Sequence, residues 1–199
     1  MKLLNNRELK FFHITKTGGT SIEKVGMKNN LLWGIDDENL LINCNGNNNS
    51  FWHNPVSYYS DNFINKYDWF IVCRNPYGRI ISEYHCNWGG IGLLEQSHDI
   101  KQFNKFVRKN IINRNNSKNH GHYLEQYLYY KKGFNVVRFE NLKKDFRKLM
   151  LKYNKNIFLN FHVYKKEKIY NIVDFDKETI ELINKIYHKD FVLFNYDKM

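Results

Sequence analysis

Phe11-Phe12-His13-Ile14-Thr15-Lys16-Thr17-Gly18-Gly19-Thr20-Ser21 is the stretch that decides the fold. Leu9 to Ile14 is a short apolar run of the kind that makes a buried strand. It leads into a Lys-Thr-Gly-Gly-Thr-Ser turn, after which the pattern becomes helical. Paired glycines let backbone N–H groups approach a ligand closely. A helix N-terminus adds the positive end of its dipole. Lys16 supplies a mobile charge, and Thr17, Thr20 and Ser21 supply hydroxyl donors. Together these groups suit a phosphate or a phosphosulfate. The plain alternative is a strand–turn–helix corner with solvated polar residues. The spacing G-x-x-x-x-G-K-[ST] of a Walker A sequence is absent.

Downstream, Phe70-Ile71-Val72-Cys73-Arg74-Asn75-Pro76-Tyr77-Gly78-Arg79-Ile80-Ile81-Ser82-Glu83-Tyr84 repeats the design. The apolar run Trp69 to Cys73 predicts a second strand. Ile80, Ile81 and Tyr84 recur at helical spacing, and Pro76 stands where a first turn tolerates it. Arg74 falls where the strand ends and Ser82 two turns into the helix. In open α/β sheets, ligands bind outside the carboxyl ends of strands. Arg74 and Ser82 can therefore serve one anion, with a planar fork and a hydroxyl. The alternative for Arg74 is an ion pair at the helix start. Arg79 reads equally as a structural partner or a ligand contact.

Phe134 to Phe139 predicts a third strand, followed by helical spacing through Phe146, Leu149 and Met150. A further helix is expected from about Asp176 through Ile180, Ile183 and Ile186–Tyr187. Strands alternating with helices predict an α/β protein with a mainly parallel sheet. The polar stretches 43–50 and 113–119 read as surface loops, not as domain boundaries. At 199 residues, 1–199 is expected to form one domain.

The formal net charge is +11 and aromatic residues make up 17 % of the chain, which excludes a disordered polar chain and points to an anionic partner. The Lys- and Asn-rich composition also suits an A- and T-rich coding sequence, so part of that charge belongs to solvated faces. Cys44, Cys73 and Cys86 are odd in number and lack metal-ligand spacing, so buried or incidental thiols are expected. Met1 to Arg7 has charge but no apolar core of a signal peptide. No apolar run approaches the ~20 residues of a membrane span. As written, the chain is expected to be soluble and cytoplasmic, without stable membrane insertion.

The two glycine- and arginine-bearing segments, in this order, resemble the cofactor-binding segments of the sulfotransferases that use 3′-phosphoadenosine 5′-phosphosulfate (PAPS). The resemblance is nearest to the carbohydrate branch, including heparan sulfate 2-O- and 6-O-sulfotransferases. That branch reads His-Ile-Pro-Lys-Thr-Gly-Gly-Thr-Ser at the first segment, where Thr15 replaces the Pro here. At the second it reads Arg-Asn-Pro followed by Arg and Ser-Glu-Tyr, as here. Val136-Val137-Arg138-Phe139-Glu140-Asn141-Leu142 and the stretch from Ile186 to Tyr196 fit as well. The resemblance implies a P-loop-like three-layer sandwich around a central, mainly parallel sheet. It assigns the 5′-phosphosulfate to Lys16, Thr17, Gly18, Gly19, Thr20 and Ser21, and the 3′-phosphate to Arg74 and Ser82. It also implies PAPS as donor, no metal, and a hydroxyl acceptor on a glycan, itself anionic in some cases.

Transfer to a hydroxyl needs a base, and His suits neutral pH. Of the eight histidines, His53 stands between the two segments, after a polar loop, in the place comparable to the family's base. The alternative is a surface or packing His beside Trp52. His13, inside the strand, reads as structural, and His120 and His122 are second choices. Lys16 can offset charge on the departing oxygen. The acidic run Asp36-Asp37-Glu38 reads as a helix start or solvated turn. Tyr123, Tyr127, Tyr129, Tyr130, Trp52 and Trp88 are candidates for a sugar-stacking wall, with core packing the alternative. Two rivals remain. A P-loop kinase or NTPase would need the Walker A spacing and a carboxylate where Arg74 stands. A basic nucleic-acid-binding protein would stack bases on its aromatics, yet no recognised nucleic-acid motif is present and no nucleic acid is expected as partner.

Overall fold

A computed structural model describes residues 7–45, 48–86, 99–116, 121–160 and 168–199, the side chains of 48–50 excepted. Trp88, His98, His120 and His162 lie outside the described residues. In chain order the elements are β1 (Leu9–Phe12), α1 (Gly19–Lys28), α2 (Glu38–Ile42), α3 (Asp61–Ile64), β2 (Asp68–Cys73), α4 (Pro76–Tyr84), α5 (Ile100–Ile112), β3 (Asn135–Arg138), α6 (Leu142–Lys152), α7 (Lys177–Ile186) and α8 (His188–Phe194). The chain divides into two compact units. One comprises Met1–Cys73 with Leu128–Val163, the other Arg74–Tyr127 with Tyr164–Met199.

The first unit holds a three-stranded sheet of order β1-β2-β3. Both ladders are parallel, with Phe11 opposite Phe70 and Ile71 opposite Val136. The three apolar runs thus become strands of a mixed α/β protein, as the alternation of periods predicts. Alternate strand residues serve opposite faces. Leu9, Phe11, Phe70, Val72 and Val137 join Ile22, Val25, Trp33, Phe146 and Met150 in one core. Phe12 and Trp69 on the other face meet a cluster of rings, with Phe12 4.4 Å from Trp69 and 5.3 Å from Tyr59 between centroids. Parallel strands have no polar face to spare, and even Lys10 in β1 is buried. Its ammonium lies 3.2 Å from Asp37 and 3.0 Å from Glu8. Burial pulls Lys10 down, but the two carboxylates outweigh it and hold the ammonium above its ordinary pKa. Asp37 also caps α2 by accepting the Asn39 N–H, so the acidic run does start a helix.

In the second unit, Tyr77, Ile80, Ile81 and Tyr84 of α4 share a core with Phe103, Val107, Ile111, Ile183, Tyr187 and Phe191. Asn75, Asp99 and Asp176 cap α4, α5 and α7 through their side chains. Burial raises the Asp176 carboxyl, but the Arg108 guanidinium and the Thr179 hydrogen bonds prevail and hold it below its usual range. All three cysteines are free thiols. No helix among the described residues is long and apolar enough to cross a membrane.

Candidate functional site

The turn between β1 and α1 is shaped by two left-handed residues, Lys16 at φ 57° and Gly18 at φ 93°. A lysine there is strained, and such strain gathers at functional sites. Gly18 is the N-cap of α1 and offers no side-chain acceptor, and the first turn holds no acidic residue. In that first turn the Ser21 N–H donates to the Gly18 carbonyl at 3.0 Å, and the helix dipole adds to the N–H groups ahead of it. Lys16, Gly18 and Thr20 are the partly accessible positions; Thr15, Thr17, Gly19 and Ser21 are buried. The Thr17 hydroxyl donates to the Ile14 carbonyl at 2.8 Å. A hydroxyl has one proton to give, so Thr17 closes the turn with it. Gly19 is required by packing: a Cβ there would stand 2.0 Å from Cδ2 of His13.

His53 belongs to the same unit and the same cluster. Its Nδ1 donates to the His13 carbonyl at 3.1 Å, since a carbonyl can only accept. The basic lone pair of the neutral ring therefore resides on Nε2. The His53 ring meets the His13 ring edge-on, with centroids 4.4 Å apart. His13 is held in turn by Glu23, whose Oε1 lies 2.7 Å from His13 Nδ1 and also accepts the Ile35 N–H at 3.0 Å. Tyr129 donates its hydroxyl to the His53 carbonyl at 2.7 Å. The structure thus brings His53 together with the Lys16–Ser21 turn through His13, a buried residue just past the end of β1.

Arg74 and Ser82 belong to the second unit. Helix α4 is buried at every position except Gly78 and Ser82. These two are four residues apart and so share one face. A Cβ on Gly78 would lie 3.5 Å from Arg74 Nε, so the Arg74 side chain runs along the same face. Arg74 and Ser82 consequently flank the one accessible stripe of α4, where a fork and a hydroxyl can meet an anion. Arg79 is structural: it is buried, donates to the Leu124 carbonyl at 2.6 Å and lies 3.6 Å from Glu83. Sequence reasoning missed Gln126 and Asp190. Both are fully buried, and Gln126 bonds both peptide groups of Arg74.

Among the described residues, Glu83, Cys86 and His122 are buried donors within 4.8 Å of one another. His122 Nδ1 stands 2.6 Å from Glu83 Oε2. That is hydrogen-bond length; two donors on one zinc ion at about 2.1 Å each stand roughly 3.3 Å apart. Arg79 lies 3.6 Å from the other Glu83 oxygen, so Glu83 links Arg79 and His122 in a buried network. Tyr123 and Tyr129 are core, whereas Trp52, Tyr127 and Tyr130 are partly accessible.

A parallel α/β sheet whose first strand feeds an uncapped, glycine-led helix beside a histidine is a frame for transferring an anionic group. The chain belongs to the Sulfotransferase family, whose model matches residues 4–197. Its activity is accordingly sulfuryl transfer. Comparisons with curated proteins and with solved structures find no match.

Proposed function

We propose that the chain moves the sulfuryl group of PAPS to a hydroxyl of a carbohydrate, within a P-loop-like three-layer sandwich. The observation that carries this reading is the pairing, in one unit, of the uncapped α1 N-terminus with a His53 whose Nδ1 proton is bound. The phosphosulfate end of the donor is assigned to the turn of Lys16, Thr17, Gly18, Gly19, Thr20 and Ser21. Its 3′-phosphate is assigned to Arg74 and Ser82. The acceptor oxygen attacks sulfur in line as the bond from sulfur to the phosphate oxygen breaks. His53 Nε2 takes the acceptor's proton, and Lys16 offsets the charge left on the phosphate. The formal net charge of +11 supports acceptors that are themselves anionic.

The test is radiosulfate transfer from PAPS to a panel of glycans, followed by single-turnover rates across pH for wild type and His53→Ala. Transfer to a glycan is expected. The variant should lose about 10²–10⁴ in rate while binding 3′-phosphoadenosine 5′-phosphate as before. The wild-type rate should fall at acid pH as the imidazole takes a proton and ceases to be a base. Transfer only to non-carbohydrate hydroxyls would overturn the acceptor class. An undiminished rate in the variant would place the base elsewhere.

A further inference from the structure

We infer that Gln126 and Asp190 are positioning residues that set Arg74 for recognition of the donor's 3′-phosphate; the inference rests on the donor assignment just made. Arg74 is the first residue past β2, where a strand's peptide groups lose their ladder. Gln126 replaces the ladder with one side chain. Its Oε1 accepts the Arg74 N–H at 2.9 Å, and its Nε2 donates to the Arg74 carbonyl at 2.8 Å. A primary amide can do this in only one orientation, because the flipped form would set donor against donor. Asp190 fixes that orientation. Its Oδ2 accepts the Gln126 N–H at 2.8 Å and lies 3.4 Å from Gln126 Nε2. Its Oδ1 accepts the Tyr127 N–H at 2.8 Å. A carboxylate only accepts, so it draws the amide nitrogen to its own side and leaves the amide oxygen for the Arg74 N–H.

The chain of contacts is therefore directional: Asp190 orients Gln126, and Gln126 pins the Arg74 backbone. The pinned backbone sends the guanidinium along Gly78 toward Ser82, the accessible stripe of an otherwise buried helix. Neither Gln126 nor Asp190 need touch the nucleotide. A purely structural joint would hold the fold equally for any ligand. A positioning clamp should matter most for the ligand that needs Arg74.

The experiment is calorimetric binding of 3′-phosphoadenosine 5′-phosphate and of adenosine 5′-phosphate to wild type, Gln126→Met, Arg74→Met and the double variant. The ratio of the two affinities isolates the 3′-phosphate. Gln126→Met should keep its affinity for adenosine 5′-phosphate and lose about tenfold or more of the ratio, the scale of one or two hydrogen bonds. In the Arg74→Met background, Gln126→Met should change the ratio no further, because it acts through Arg74. Asp190→Asn, which loosens the hold on the Gln126 amide but leaves the Gln126 side chain in place, should lose part of the ratio and serves if the Met variant does not fold. A folded variant with the wild-type ratio, or full additivity in the double variant, overturns the positioning role. A wild type that binds both nucleotides equally overturns instead the 3′-phosphate assignment, and the clamp's role with it.

Discussion

Helix α1 begins at Gly18 with no side-chain cap. Helix α4 begins at Asn75, whose Oδ1 takes the Tyr77 N–H at 3.0 Å, and continues with Pro76, which has no N–H to offer. The first has no side chain on its N–H groups and turns the Ser21 N–H onto the Gly18 carbonyl. The second has one N–H replaced by Pro76 and another bound by Asn75, so the proposed anion there is assigned to side chains, Arg74 and Ser82. The contrast extends to the glycines. Gly18 and Gly19 are fixed by backbone angle and by the His13 ring, whereas Gly78 stands at ordinary contact distance from Arg74. A site made of backbone fails when its conformation changes; a site made of side chains fails when the side chains do.

The largest effect is expected at Gly19. Gly19→Ala must displace His13 and with it the seat of His53. Overpacking of this kind costs about 1–3 kcal/mol, readable by urea unfolding, and sulfuryl transfer should be lost with it. Preserved turnover would show that the turn is not held by this contact.

Lys16 separates the chemistry of the turn from its shape. Lys16→Gly relieves a left-handed lysine, so stability should hold or rise by up to about 1 kcal/mol. Turnover should nevertheless fall roughly a hundredfold, about 3 kcal/mol of lost charge stabilisation. A variant both stable and fully active would reduce the turn to a structural corner.

On the side of Arg74, Asp190 makes the pH prediction. Burial pushes its carboxyl up to about 6, although the Gln126 and Tyr127 N–H groups oppose the shift. A folded pKa above the unfolded one means that protons bind the folded state more tightly. Its stabilising share is complete below the unfolded value and is lost as pH rises through about 6. Wild type should therefore gain on Asp190→Asn by about 1 kcal/mol between pH 7 and pH 5, measured by unfolding at each pH. A pH-independent difference would contradict the raised carboxyl.

The smallest effect closes the comparison. Gly78→Ala adds a methyl at tolerable distance inside a helix and should stabilise the protein by about 0.5–1 kcal/mol. A fall in melting temperature would show that Arg74 lies closer than contact distance.

The sequence made the strand ends legible because apolar runs, glycines and Pro76 are local signals. Leu9–Phe12, Asp68–Cys73 and Asn135–Arg138 fall within a residue or two of the runs that predict them. Helix α7 follows its cap Asp176 as its spacing suggests. Helix α5 went unread, although Phe103, Val107 and Ile111 stand four apart, because polar residues dominate between them. That the Thr17 hydroxyl donates to the Ile14 carbonyl was not legible, because the direction of one hydroxyl depends on how the turn closes. Gln126 lies 52 positions from Arg74, and Asp190 another 64 beyond Gln126. No local pattern announces that a buried amide and a buried acid will meet one backbone residue.

The hydrogen bond from His53 Nδ1 to the His13 carbonyl has a consequence for the proton's route. A peptide carbonyl does not carry a proton onward, so this hydrogen bond offers the ring no exit toward His13. Whatever His53 picks up at Nε2 must leave from Nε2. In the proposed mechanism the histidine would be a dead end, not a relay: each cycle would hand the proton back through the face that received it. Under that proposal, product departure or the arrival of water or buffer at that face would reset the base.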